Sequence, residues 1–245
     1  MKKLFLIMFI VLLSKSLFAY DRADTTFTYD LNGDDKKETI KLTANEEEGT
    51  ITLKVNDAKL VYMPTSTSYA EVKIVWINGK AYLLVSNVDY YGFESSLFHF
   101  NNKIDSIGTI WSLDKPEISN SGILKVNNWL GFWSADYEYH LINNKLEAKY
   151  KEEYNLSEHL KENVLKTKEK IYLHSSKMIN AKGLYEINPN TQIFIQKADI
   201  RNKCKEEDEW QESCYWYFIR SKDGTEGWIM LKEFQDKVDG IPWAG

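Results

Sequence analysis

Short apolar–polar alternations run through most of this chain, broken at regular intervals by pairs of turn-forming residues. Residues 50–55 and 59–62 flank Asn56 and Asp57; residues 72–77 and 80–85 flank Asn78 and Gly79. Residues 97–100 and 103–108 flank Asn101 and Asn102, and residues 137–142 and 145–150 flank Asn143 and Asn144. A period of two marks a strand with one face buried. A two-residue break of Asn, Asp or Gly marks a hairpin, because these residues enter the left-handed backbone region at low cost. The pattern predicts a mainly β chain, with an antiparallel meander of hairpins over residues 20–154.

The pattern changes at Asn155. Leu156, Leu160 and Val164 stand at helical spacing, and Ser157 is placed to cap them, so residues 155–168 read as a short connecting helix and a boundary. Strand texture returns at residues 170–174. A turn and a strand follow over residues 187–195, and residues 214–220 face residues 226–230 across Asp223 and Gly224, another hairpin signal. Along the strand that begins near Trp216, Tyr217 and Ile219 point one way and Trp216 and Phe218 the other. One of these faces must be core, and alternation alone does not choose which. Residues 169–245 thus form a second β domain.

The first nineteen residues change the picture of where the chain works. Lys2 and Lys3 precede an apolar run through Leu13, and Ala19 ends a stretch suited to cleavage. This reads as a secretory signal peptide, with an uncleaved anchor as the alternative given Leu17 three residues before the cut. The run is short for a span of about 20 residues. Cleavage removes three lysines (Lys2, Lys3, Lys15) and no acid, which moves the formal charge from −5 to −8. An acidic mature chain gains nothing from counterion release, which argues against nucleic acid and anionic membrane as partners. Cys204 and Cys214 are the two cysteines, and an oxidising compartment favours their pairing as a disulfide. The expected location is the periplasm or the outside of the cell.

One stretch carries candidate metal chemistry. Asp30, Asn32, Asp34 and Glu38 bear oxygens at alternate or near-alternate positions, with Gly33 among them, just before a strand starting near Thr39. That spacing lets a loop curl round one hard cation, with the Lys36 carbonyl completing the ring, and calcium is the expected ion in a structural role. The alternative is a solvated turn in which Asp and Asn serve only as turn formers. Two aromatic clusters have similar double readings. Residues 87–94, with Asn87, Asp89, Tyr90, Tyr91 and Glu94, read as a rim site or as a loop covering core. Trp129, Phe132, Trp133, Tyr137 and Tyr139 read as a ligand platform or, with better support from the area such rings bury, as core.

Two resemblances add to this. The hairpin over residues 216–229, with its aromatic strand, Gly turn and closing Gly227-Trp228-Ile229, resembles the bacterial SH3-like (SH3b) domain over residues 169–245. The cysteine-bounded insertion and the tail with Trp243 depart from that family. The resemblance implies a small SH3-like β-barrel, and an aromatic groove of Tyr172, Trp216 and Trp228 for peptidoglycan or a peptide. The acidic loop resembles the Asp-rich repeats of integrin-type (FG-GAP, VCBS-like) modules, with Asp35 where a second Gly is usual and Glu38 where Asp is usual. One such loop does not support a full propeller.

No catalytic motif stands out. His99, His140, His159 and His174 lie in no recognisable pattern, and no phosphate loop, metalloprotease helix or nucleophile elbow is present. The expected function is that of an exported, non-enzymatic binding protein of the cell envelope. The alternatives are an envelope hydrolase targeted by its SH3-like part and a secreted inhibitor or partner-binding protein.

Overall fold

The computed structural model describes residues 24–67, 69–89, 92–178, 184–202, 204 and 211–243. The signal-peptide reading and Tyr90 and Tyr91 lie outside these residues. The protein is mainly β, and its strands form three four-stranded antiparallel sheets and one larger, curled sheet. The first sheet is β1 (Asp24–Tyr29), β2 (Glu38–Asn45), β3 (Thr50–Val55) and β4 (Ala58–Tyr62). The second is β5 (Ala70–Ile77), β6 (Lys80–Asp89), β7 (Gly92–Phe100) and β8 (Ile104–Ser112). The third is β9 (Glu117–Ile118), β10 (Ile123–Trp129), β11 (Ser134–Ile142) and β12 (Lys145–Lys149). Each is a simple up-and-down meander in sequence order.

The hairpin turns are where the Asn residues put them. Asn56, Asn78, Asn102, Asn143 and Asn144 all take positive φ, between 50° and 59°. Pairing closes tightly across the turns, with Val55 opposite Ala58, Ile77 opposite Lys80 and Ile142 opposite Lys145. Alternation then decides which side chains are buried. Ile40, Leu42, Leu53 and Val55 of the first sheet share one core with Val72, Leu83, Val85 and Phe98 of the second.

The fourth sheet comprises β13 (Tyr154–Asn155), β14 (Leu165–Thr167), β15 (Ile171–His174), β16 (Leu184–Ile187), β17 (Gln192–Asp199), β18 (Trp216–Ser221), β19 (Glu226–Met230) and β20 (Val238–Asp239). Their order is β16-β15-β19-β18-β17-β14-β20, with β13 on the far end of β17, and the sheet forms an antiparallel half-barrel. Its core contains Ile171, Leu173, Ile193, Ile195, Tyr217, Ile219 and Ile229, together with Phe132 and Trp133 from the turn between β10 and β11. Tyr217 is fully buried, and its hydroxyl accepts a bond from Trp133 Nε1 at 3.2 Å. A single helical turn, α1 (Leu231–Phe234), follows β19. The described residues divide into two compact units, one within 24–89 and 94–110, the other within 92–93 and 111–243. This division falls well before the change of texture at Asn155.

The expected connecting helix over residues 155–168 is a correction. Only one turn forms, with Leu160 N–H donating to the Leu156 carbonyl at 3.1 Å. Leu156 and Leu160 reach the core, but Val164 is 71 % exposed, so the apolar stripe fails at its third position. Leu165 then turns extended to pair with Ile193 of β17. Burying Leu165 in the sheet outweighs a weak local helix signal.

Candidate functional site

The hairpin of β18 and β19 builds the most distinctive surface of the half-barrel. Tyr217, Ile219 and Ile229 enter the core, so the opposite face of these strands carries Trp216, Phe218 and Trp228. Phe218 lies directly across from Trp228, with ring centroids 5.3 Å apart. Trp228 in turn lies across from His174 of β15. Gly227 makes that approach possible. A Cβ there would stand 2.7 Å from the His174 carbonyl oxygen and 2.8 Å from Leu173 Cβ. The Gly-Trp pair is therefore a packing requirement, with the missing side chain admitting β15 and the next residue supplying a ring on the outer face.

Of the three residues expected to bind ligand, Tyr172 is 47 % exposed, Trp228 is half-buried and Trp216 is only 4 % exposed. Trp216 meets the His174 ring edge-on at 5.6 Å and supports the face from beneath. Beside the hairpin lies a groove of about 410 Å³ lined by Ser175, Tyr185, Phe218, Thr225, Glu226 and Gly227. Tyr185, Ser175 and Phe218 were not among the expected ligand residues. Strand parity already grouped Phe218 with Trp216, whereas Tyr185 arrives only through the pairing of β16 with β15. Among the described residues β16 ends the strand order, and its Leu184 and Tyr185 are exposed, so a partly apolar sheet edge adjoins the groove.

A charged cluster borders this face. Lys177 Nζ sits 4.6 Å from the centre of the Trp228 ring and 2.8 Å from Asp199 Oδ2, with Glu153 Oε1 at 3.3 Å. Arg201 grips Asp199 with two bonds of 2.9 and 2.7 Å, and Lys197 holds Glu153 at 2.9 Å. Burial alone would raise the Asp199 carboxyl, but the Arg201 guanidinium and Lys177 ammonium outweigh it and hold the group at about 2. Glu153 is lowered first by Lys197 and, against some burial, by Lys177.

The acidic loop before β2 is ordered by its own side chains. Asp30 Oδ1 accepts the N–H of Gly33 at 2.7 Å, and Asp30 Oδ2 accepts that of Asp35 at 3.0 Å. Asn32 Oδ1 accepts from Asp34, Asp34 Oδ1 from Lys36, and buried Glu38 Oε2 from Leu31 at 2.8 Å. Asp35 takes φ 62°, a left-handed conformation that Gly adopts most easily. The donors are all oxygen, as a hard cation requires. Among the described residues, however, no three His, Cys, Asp or Glu side chains are gathered as a metal-holding group.

Two further places fall on expected clusters. Leu130, Phe132 and Trp133 are core, which agrees with the packing reading of that segment, while Trp129 remains partly exposed. In the first unit, Asn87 is fully buried beside the Tyr62 hydroxyl, and buried Glu94 accepts two bonds from Thr65. A cavity of about 650 Å³ lies along β9–β12. Its lining includes the cross-strand row Glu117, Lys125, Glu138 and Lys149, in which acid and base alternate.

Cys204 and Cys214 form a disulfide, with Cα atoms 5.4 Å apart, and no free cysteine is present among the described residues. No helix among them is long and apolar enough to cross a membrane. Compared with protein-family models, curated proteins and solved structures, the chain has no significant match in any of the three.

Proposed function

We propose that this chain is an exported, non-enzymatic binding protein of the cell envelope. Its half-barrel takes an extended peptide, free or glycan-linked as in peptidoglycan, along the groove beside the β18–β19 hairpin. The observation that carries this reading is the groove itself: Phe218 and Tyr185 offer ring surface beside the exposed edge of β16. A peptide laid there gains backbone hydrogen bonds from the edge and side-chain contacts from the rings. The basic residues Lys2 and Lys3 ahead of an apolar run, together with the disulfide, support export. The pairing of both cysteines leaves no thiol nucleophile for a cysteine hydrolase.

Calcium is proposed as a structural ion of the Asp30–Glu38 loop. Asp30, Asn32, Asp34 and Glu38 would supply side-chain oxygens and Lys36 its carbonyl, and the ion would offset the repulsion among three carboxylates. It takes no part in recognition.

The test is co-sedimentation of the chain lacking residues 1–19 with purified sacculi, at physiological salt with calcium present. The account expects pelleting that persists above 0.15 M salt, because ring and backbone contacts are poorly screened, and its loss in Phe218→Ala. A protein that stays in the supernatant, or pelleting that salt abolishes, contradicts it.

A further inference from the structure

The groove reading leaves open what kind of peptide would fit, and the cluster at its border bears on that. Lys177 lies two residues beyond Ser175, which lines the groove, and Trp228 touches the Phe218 ring that lines it too. The Lys177 ammonium occupies a cage of three walls: the Trp228 ring at 4.6 Å, the buried Asp199 carboxylate at 2.8 Å and Glu153 at 3.3 Å. The face of an indole and two carboxylates are the groups that recognise a primary ammonium.

The cage stands without its occupant. Asp199 is held by both nitrogens of the Arg201 fork, and Glu153 by Lys197. Trp228 is fixed by its place in β19 and by Phe218. Lys177 itself follows the end of β15 in an irregular segment, and among the described residues its side chain meets the members of the cage. The charge count agrees. Asp199, Glu153 and Glu152, which lies 3.9 Å from Arg201, face Arg201, Lys197 and Lys177. Removing Lys177 leaves one uncompensated negative charge, and an incoming ammonium restores the balance.

Resting on the groove reading, we infer that the ligand carries a primary amine, either a chain-terminal amino group or a lysine-type side chain. This amine displaces Lys177 from the Trp228–Asp199–Glu153 cage when the peptide enters the groove. Lys177 is then an internal competitor that weakens binding of amine-bearing ligands and keeps the acids paired in the free protein.

The test is isothermal titration of the full mature chain and of Lys177→Met with two probes, the tripeptide Ala-Lys-Ala and its counterpart acetylated on both amines. Met keeps the apolar stem and removes the competing charge. Lys177→Met is expected to bind Ala-Lys-Ala about tenfold more tightly than the parent, with no gain for the acetylated peptide. Trp228→Leu in the same background should cancel the gain. Circular dichroism verifies that each variant is folded. Equal affinity of Lys177→Met and the parent for Ala-Lys-Ala, or an equal gain for both probes, overturns the inference. If both probes bind without preference and Phe218→Ala abolishes their binding, the ammonium claim fails while the groove stands. If neither probe nor sacculi bind to either protein, the groove reading fails with it.

Discussion

Gly227→Ala is the sharpest perturbation of the half-barrel. The added Cβ would stand 2.7 Å from the His174 carbonyl oxygen and 2.8 Å from Leu173 Cβ. Both neighbours are fixed to the backbone, so no rotamer change relieves the contact. Carbon atoms pack comfortably at about 3.5–4.0 Å, so the strands must separate by close to 1 Å. β19 is held by five paired residues of β18, whereas β15 meets β19 at the single register pair His174–Trp228. β15 therefore yields, and with it the burial of Ile171 and Leu173. Overpacking of this kind costs about 2–3 kcal/mol. Gly224→Ala is the control, because residue 224 has φ +95° and open space around it. There the penalty is backbone strain alone, about 1 kcal/mol. Urea unfolding followed by tryptophan fluorescence, read at the transition of the second unit, measures both. The expected result is a larger fall in midpoint for Gly227→Ala at unchanged slope. A loss no greater than that of Gly224→Ala refutes the close approach of β15 to β19.

Other consequences are equally direct. Tyr217→Phe strips the acceptor from buried Trp133 Nε1 and should cost about 1–2 kcal/mol in the same unfolding assay; an unchanged midpoint means the indole has another partner. Asp199 has its carboxyl depressed to about 2 in the folded chain, against about 3.9 unfolded. Its contribution is therefore complete above pH 4 and is lost as pH falls toward 2; it is worth about 1–2 kcal/mol after allowance for the solvent beside Lys177. Asp199→Asn should flatten stability over that window, and an unaltered pH slope would falsify the assignment. Millimolar calcium should raise the thermal midpoint of the first unit by about 5 °C, reversibly with chelator, and the double variant Asp30→Ala, Asp34→Ala should abolish the rise. An equal rise in that variant, or none in the parent, removes calcium from the loop.

What was legible in the sequence follows from how local each cause is. The hairpins could be read because Asn56, Asn78, Asn102 and Asn143 adopt positive φ through their own short side chains, whatever lies around them. The half-buried strands could be read because alternation records burial, and Glu226–Met230 matches residue for residue. β13, β14 and β20, of two or three residues each, have no period to detect; they are recruited by β17 and by one another. The same recruitment extends Leu165 and ends the helical reading of residues 155–168. At the candidate site, parity separated Trp216 and Phe218 from Tyr217 and Ile219, but the core side emerged only once Trp133 and Phe132 were seen against Tyr217. The burial of Trp216 depends on His174, forty-two positions earlier, and Lys177 reaches Trp228 over a similar distance. No spacing rule spans such gaps, and the groove residues Tyr185 and Ser175 were invisible for the same reason.

The claim that matters most is that ligand binds along the β18–β19 hairpin. Hydrogen exchange of the mature chain with and without solubilised peptidoglycan fragments tests it by location. The account predicts new protection confined to the described parts of β15, β16, β18 and β19, with the first unit unchanged. Protection centred on β1–β8 or on the β9–β12 cavity, or no protection at saturating fragment, contradicts it.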